Sequence, residues 1–317
     1  MTTLPPHGLP LLQPIPCPEG ASNNISIDIL RLDRLHPVIS GNKWFKLKGH
    51  LQQAQQSSSG TIITFGGPWS NHLLATACAA RQAGLKAVGI VRGEKPPVLS
   101  NTLSSALHLG MQLEFISRRE YAEKSDIHFL DRLSLRYPGA YIIPEGGAGP
   151  LGIHGSEEIL ETIDSSRYTH ILCSIGTGTM FLGLVRASRR GQTVIGVPAL
   201  KGVDTLTAAD ASILTAEQKA RARVLNGYQF GGYARHPPEL LTFMNEFYQR
   251  TGIPSDIVYT GKLFYALEDA VRKDYFPASS SLLVVHSGGL QGNLSLPPGT
   301  LQFPEGGITD CAFPAQF

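Results

Sequence analysis

The sequence predicts an α/β protein with largely parallel sheets covered by helices, and three observations carry that expectation. Short apolar strands recur, each ending at a glycine turn and most followed by a helix: 61–65 before Gly66-Gly67, 170–175 before Gly176-Thr177-Gly178-Thr179, and 281–286 before Ser287-Gly288-Gly289. No tandem repeat or long low-complexity linker interrupts the alternation. At 317 residues, 42% hydrophobic and 16% charged, the chain is an ordinary globular protein long enough for two domains.

In order, residues 1–24 carry Pro5, Pro6, Pro10, Pro14, Pro16 and Pro18 and read as an extended arm on the body or on a partner subunit. Alternation over 25–35 predicts a strand. Trp44, Leu47 and Leu51 then recur at helical spacing, starting a helix at Lys43 behind the Ser40-Gly41-Asn42 turn. A strand at 61–65, an alanine-rich helix from Ser70 to Gln82, a strand at 86–91 and a helix at 101–109 follow. Strands at 111–116 and 140–143 flank an amphipathic helix at 119–136, and a helix near 154–164 comes after Pro144-Glu145-Gly146-Gly147. The strand at 170–175 leads into a helix at 180–190, then a strand at 193–198, helices near 215–224, 237–251 and 261–272, and the strand at 281–286. Asp256-Ile257-Val258 reads as strand-like before Tyr259. In such a sheet ligands lie at the carboxyl ends of the strands, where these glycine turns fall.

Composition excludes several classes. Lysines and arginines (27) against acids (25) leave a formal charge of +2, without the concentrated basic face that nucleic acid or an anionic membrane requires. Cys17, Cys78, Cys173 and Cys311 form no CxxC pair, and Cys78 and Cys173 lie in apolar runs as core residues. No stretch has the length of a membrane span or of a secretory h-region, so a reducing cytoplasm is the expected location.

Four places could carry chemistry, and each has a structural reading beside the functional one. Lys43, at a helix start beside Lys46 and Lys48, is placed to lose its proton and form a Schiff base, or is a solvated surface charge. Gly176-Thr177-Gly178-Thr179 suits an anion at a helix N-terminus, or is a packing turn; it has neither the Walker ending nor the dinucleotide spacing. Ser70-Asn71-His72 holds a carboxylate and a cofactor oxygen, or caps its helix. Tyr259 is a general acid or base, or a buried aromatic; Ser287 places another hydroxyl at a strand end. A Schiff-base lysine, a phosphate cradle and several hydroxyls together suggest pyridoxal 5′-phosphate.

Gly41-Asn42-Lys43 with Lys46-Leu47, Ser70-Asn71-His72, Ile143-Pro144-Glu145-Gly146-Gly147 with Pro150-Leu151-Gly152, the glycine-threonine turn, and Val258-Tyr259-Thr260-Gly261-Lys262 resemble the D-cysteine desulfhydrase and 1-aminocyclopropane-1-carboxylate deaminase family. The markers run in the family's order from about residue 29 to 292. The resemblance implies a tryptophan-synthase-β-like fold with the cofactor between a larger domain (1–52 and 151–317) and a smaller one (53–150), a small amino-acid substrate, and a homodimer. It implies that Lys43 holds the cofactor covalently, that Asn71 bonds its phenolic oxygen, and that Gly176, Thr177, Gly178 and Thr179 bind the phosphate with Lys46. Ser70, with Asn71 and His72, receives the substrate carboxylate. Tyr259 and Tyr233 act beside the substrate, and Thr260 and Ser287 flank the pyridine nitrogen.

Ring-opening enzymes resemble one another in having glutamate and leucine where this chain has Thr260 and Ser287; the hydroxyl pair is similar to that of the desulfhydrases. His72, where the deaminases tend to have glutamine, points the same way. A hydroxyl does not hold a full pyridinium, which suffices for expelling a β-thiolate and suits cyclopropane cleavage less. The expected reaction is therefore α,β-elimination from D-cysteine, with ring-opening deamination, a serine or threonine dehydratase, a racemase and a non-catalytic cofactor binder as alternatives. Phe45, Gly149, Arg235-His236-Pro237 and Leu290-Gln291-Gly292-Asn293 depart from the family's pattern and are expected to line the substrate side.

Overall fold

Two sheets divide the strands. In the computed structural model, which describes residues 11–17, 20, 23–202 and 212–303, the strands along the chain are β1 (Leu11–Ile15), β2 (Ser26–Arg31), β3 (Thr61–Gly66), β4 (Lys86–Arg92) and β5 (Met111–Ile116). They continue with β6 (Tyr141–Ile142), β7 (His170–Ile175), β8 (Thr193–Pro198), β9 (Ala222–Val224) and β10 (Ser281–His286). The larger sheet has the order β1-β2-β10-β7-β8-β9 and the smaller β5-β4-β3-β6. Every pairing is parallel except that of β1 with β2. Pro14 is confined to β1, the edge strand, as a residue without an N–H should be.

The helices are α1 (Asn42–Gln56), α2 (Asn71–Gln82), α3 (Asn101–His108), α4 (Arg118–Ala122), α5 (Ile127–Arg136), α6 (Pro150–Glu161), α7 (Thr179–Ala187), α8 (Ala216–Arg221), α9 (Pro238–Thr251) and α10 (Thr260–Arg272). They cover both faces of each sheet, which is why the strands read as continuous apolar runs. In β10, Leu283 and Val285 point to one core with Phe181, Leu184 and Val185 of α7, while Leu282 and Val284 point to another with Leu263, Phe264 and Leu267 of α10. The smaller sheet packs Ile63, Phe65 and Val88 on Tyr121, Phe129 and Leu133, and its other face on α2 and α3. Helix α1 serves both sheets: Phe45 enters the core of the larger, and Leu47, Leu51 and Ala54 that of the smaller.

Four expectations need correction. The amphipathic helix at 119–136 is two helices, because the Asp126 side chain accepts from the N–H groups of His128 and Phe129 and starts a new helix there. The strand at 25–35 ends at Arg31, where Leu32–Arg34 turns into a 3-10 helix and Asp33 pairs with Arg31 at 2.7 Å. The helix near 215–224 stops at Arg221, and Ala222, Arg223 and Val224 pair with β8. Asp256-Ile257-Val258 is no strand but a turn closed by the Asp256 carboxylate. Of the arm, residues 1–10 lie outside the described residues, and Leu11–Ile15 is a strand.

Candidate active site

The carboxyl ends of β3, β7 and β10 meet the N-termini of α1, α2 and α7 around one cleft of about 480 Å³. Gly41 sets the start of α1. It holds φ at 66° and backs so closely on the turn after β10 that a Cβ would stand 1.8 Å from the Ser287 carbonyl oxygen. The same oxygen accepts the Asn42 N–H at 3.1 Å. The lysine turn and the Ser287 turn therefore hold each other. We expect Gly41→Ala to cost about 1–3 kcal/mol for a positive-φ conformation that is open essentially to glycine, with more from the clash, read as a lower thermal midpoint and a loss of bound cofactor.

Lys43 opens into the cleft, its amine donating to Asn42 Oδ1 at 2.8 Å. Burial draws its pKa down to about 8, against the opposing pull of Asp256. Lys46, one turn on, is 5% exposed; burial, and then the charge of Lys43, pushes it well below the ordinary lysine value. Both amines line the cleft but differ in access: Lys43 is partly exposed, while Lys46 is buried.

Ser70 both caps α2, accepting the Leu73 N–H at 3.3 Å, and lines the cleft. Asn71 Nδ2 donates to the Gly289 carbonyl at 3.0 Å, and its Oδ1 is buried with no hydrogen-bond partner. His72 settles its own tautomer. Thr64 Oγ1 donates to the Ile143 carbonyl at 3.0 Å, so at 2.8 Å it accepts from His72 Nε2, leaving Nδ1 a bare, buried acceptor. Burial, then the nearby lysines, keep this ring neutral. Its free nitrogen thus does not suit a carboxylate, which the first-turn N–H groups of α2 suit better.

Helix α7 begins at Gly178, at φ 78°, without a side-chain cap, so its first N–H groups are open to an anion. Thr177 and Thr179 share a hydroxyl contact at 2.9 Å. Gly176, Thr177 and Gly178 line the cleft; Thr179, 2% exposed, stands behind them. A Cβ on Gly176 would lie 3.0 Å from the Tyr259 ring, so a larger residue there would press on that tyrosine. Tyr259 and Tyr233 meet edge to face, centroids 6.4 Å apart. Burial, with Tyr233 and Asp256 adding, raises the Tyr259 phenol well above its ordinary value and keeps its proton in place.

The structure brings Lys43, Lys46, Ser70, Asn71, His72, Gly176, Thr177, Gly178, Tyr233, Tyr259 and Ser287 to the one cleft. Thr260 is elsewhere. It is fully buried, its hydroxyl donating to Asp256 Oδ2 at 2.6 Å and accepting the Asp256 N–H at 2.7 Å, so the proton expected for a ring nitrogen is already engaged. Ser287, whose hydroxyl lies 3.4 Å from that of Ser174, keeps a place on the wall. Among the departures from the family's pattern, Phe45 is a core residue and Gly149 the N-cap of α6. Ala234 and Gly292, not Arg235 or His236, reach the cleft.

Sequence reasoning missed Asp256. Its Oδ1 accepts the N–H groups of Val258 and Tyr259, both at 2.8 Å, and its Oδ2 that of Thr260 at 2.9 Å as well as the Thr260 hydroxyl. An aspartate four residues before a helix's first threonine was the available sign. It also missed Arg92 and Glu145 on the wall; Glu145 is tied to Tyr121 at 2.7 Å and Lys124 at 3.3 Å.

A family model described as pyridoxal-phosphate dependent enzyme matches residues 16–288. The chain belongs to that family. A putative 1-aminocyclopropane-1-carboxylate deaminase of Thermotoga maritima is 30% identical over 285 residues, covering 84% of this chain and 89% of the relative. A mitochondrial bifunctional D-cysteine desulfhydrase/1-aminocyclopropane-1-carboxylate deaminase of Arabidopsis thaliana is 29% identical, covering 86% and 74%. The crystal structure of an ACC deaminase homologue superposes with a TM-score of 0.77 at 25% identity, covering 92% of each chain.

As a member of the pyridoxal-phosphate dependent family the chain uses that cofactor, and its residues fit it. The uncapped start of α7 suits the phosphate, the buried, partnerless Asn71 amide oxygen suits a polar group of the cofactor, and Ser287 offers a hydroxyl further along the wall. With the Lys43 pKa at about 8, only about a tenth of the amine is neutral at pH 7. We therefore expect the rate at which cofactor-free protein takes up pyridoxal phosphate to rise roughly tenfold per pH unit below 8 and to level above it. Stopped-flow absorbance checks this; a rate flat from pH 6 to 9 contradicts it.

Proposed function

We propose that the chain is a pyridoxal-phosphate-dependent lyase that eliminates the β-substituent of a small amino acid, with D-cysteine giving pyruvate, ammonia and hydrogen sulfide. One observation carries the choice of elimination over ring opening. Among the described residues, the carboxylate lining the cleft is Glu145, already engaged by Tyr121 and Lys124, while the ends of β10 and β7 offer the hydroxyls of Ser287 and Ser174. A ring nitrogen met by hydroxyls is only partly protonated. With Thr260 turned to Asp256, that argument rests on the two serines.

The bound cofactor supplies the electron sink for the carbanion formed at the substrate's α-carbon. The rest falls to the chain. The N–H groups and hydroxyl at the start of α2 hold the α-carboxylate. Lys43, with its depressed pKa, takes the α-proton near neutral pH. Tyr259 keeps its proton and so is suited to donate it to the departing thiolate. The Cα–H and Cβ–S bonds break, and one water is consumed in releasing the 2-oxo acid and ammonia.

On the same reading the larger and smaller parts, 1–52 with 151–317 and 53–150, are two domains about the cleft, and the protein is a homodimer in the cytoplasm; sedimentation of the loaded protein checks the dimer.

The test supplies D-cysteine, L-cysteine, D-serine and 1-aminocyclopropane-1-carboxylate separately to the loaded protein and measures 2-oxo acid. Pyruvate from D-cysteine, with no 2-oxobutanoate from the cyclopropane, is expected. 2-Oxobutanoate at a comparable rate overturns the choice of reaction, and a spectral change with no 2-oxo acid from any substrate overturns catalysis while leaving cofactor binding.

A further inference from the structure

Lys262 is fully buried beside the cleft and donates to three backbone carbonyls: Gly232 at 2.7 Å, Gln229 at 2.9 Å and Ala199 at 3.5 Å. Two of these already close turns. Gly232 N–H donates to the Gln229 carbonyl at 2.9 Å, and Arg235 N–H to the Gly232 carbonyl at 3.2 Å. The Gly232 carbonyl belongs to the peptide bond that enters Tyr233. Around it the backbone is left-handed at Phe230 (49°), Gly231 (89°), Gly232 (119°) and Ala234 (53°). Phe230 and Ala234 carry side chains, so the loop holds a conformation that the chain leaves unless something fixes it.

We propose that Lys262 is a positioning residue whose amine, through its three backbone hydrogen bonds, clamps the two turns over 229–235, so that Tyr233 stands against Tyr259 in the cleft. Lys262 is three residues after Tyr259 on the same helix start, which ties both tyrosines to α10. An ammonium has three N–H groups for three carbonyls; a neutral amine has two, and its lone pair then faces an oxygen. Burial draws the amine to about 8, opposed by Asp256, the charged group that faces it from the turn before α10. Tyr233 itself faces Arg92, Asp256 and Glu145 beside Tyr259. Opening the loop returns the amine to water and to its ordinary pKa of 10.5, so the closed loop gains over the open one as pH rises through about 8, and the hydrogen bonds, not the charge, make the clamp. Its consequence for turnover rests on the proposed function; the clamp does not.

The test measures hydrogen exchange of the loaded wild-type protein at pH 7 and pH 9.5, expressed as protection relative to intrinsic rates. Protection of a peptide spanning 226–236 is expected to rise about tenfold or more at the higher pH, with 243–251 unchanged. Lys262→Met is expected to lose this pH dependence and to show lower protection than the wild type at both pH values. In turnover it is expected to lose about tenfold in kcat/KM, and no further loss is expected when it is added to Tyr233→Phe. Protection that falls or does not change with pH in the wild type overturns the clamp, whether or not the variant folds. Additive losses in the double variant overturn its action through Tyr233. Failure of D-cysteine as a substrate leaves the exchange result readable.

Discussion

Lys43→Ala is expected to abolish the near-visible absorbance of covalently held cofactor and to lower turnover by about 10²–10⁴-fold, the range for removing a positioned proton-transfer group. The competing amine is Lys46, which lies one turn away with a more strongly lowered pKa. Access decides between them: Lys43 is partly exposed into the cleft, while Lys46 is 5% exposed. Borohydride reduction of the loaded wild type followed by peptide mapping should place the label on residue 43. A label on residue 46, or a variant that keeps both colour and turnover, would sink the assignment.

Asp256→Ala should be the most destabilising single change near the site. The carboxylate is fully buried and accepts three backbone N–H groups and one hydroxyl within five residues. Alanine leaves these donors buried without an acceptor, at about 1–3 kcal/mol each, reduced to the extent that the turn relaxes or water enters. A loss of about 3–5 kcal/mol is expected in denaturant unfolding of the loaded protein, with Tyr259 displaced and Lys262 left without its opposite charge. Asp256→Asn keeps the acceptor for Val258 and Tyr259, so it should cost clearly less. Equal losses from the two variants would mean that charge, not hydrogen bonding, holds this turn.

Much of the fold was legible because it is written in local pattern. The strands at 61–66, 86–92, 170–175, 193–198 and 281–286 are apolar on both faces, and each stops at or just before a glycine, a proline or a serine-glycine turn. What was not legible depends on single side chains that bond to nearby backbone. Asp126 breaks a helix whose hydrophobic spacing continues through it, and Asp256 bends a run that reads as a strand. In the cleft, residues at strand ends were found because position alone predicts them. Thr260 was placed at the ring nitrogen by the resemblance, and the aspartate four residues earlier, which takes its hydroxyl, was the sign passed over. Phe45 was assigned to the substrate side as a departure from the family's pattern, whereas helical geometry turns it into the core.

The position of β10 has a consequence for synthesis on the ribosome. It is the last strand made among the described residues, yet it lies between β2 and β7 and pairs with both. Until residue 286 has left the exit tunnel, β2 and β7 each present an unpaired parallel edge, and the apolar residues meant for β10 are missing from two cores. The nascent chain must therefore wait, partly assembled and prone to association, for nearly its whole length. Ser287 and Gly288, which close the wall of the cleft and back on Gly41, follow at once. The site is thus completed in the same event that completes the sheet, and a chain truncated before residue 281 should accumulate as aggregate instead of as an inactive soluble protein.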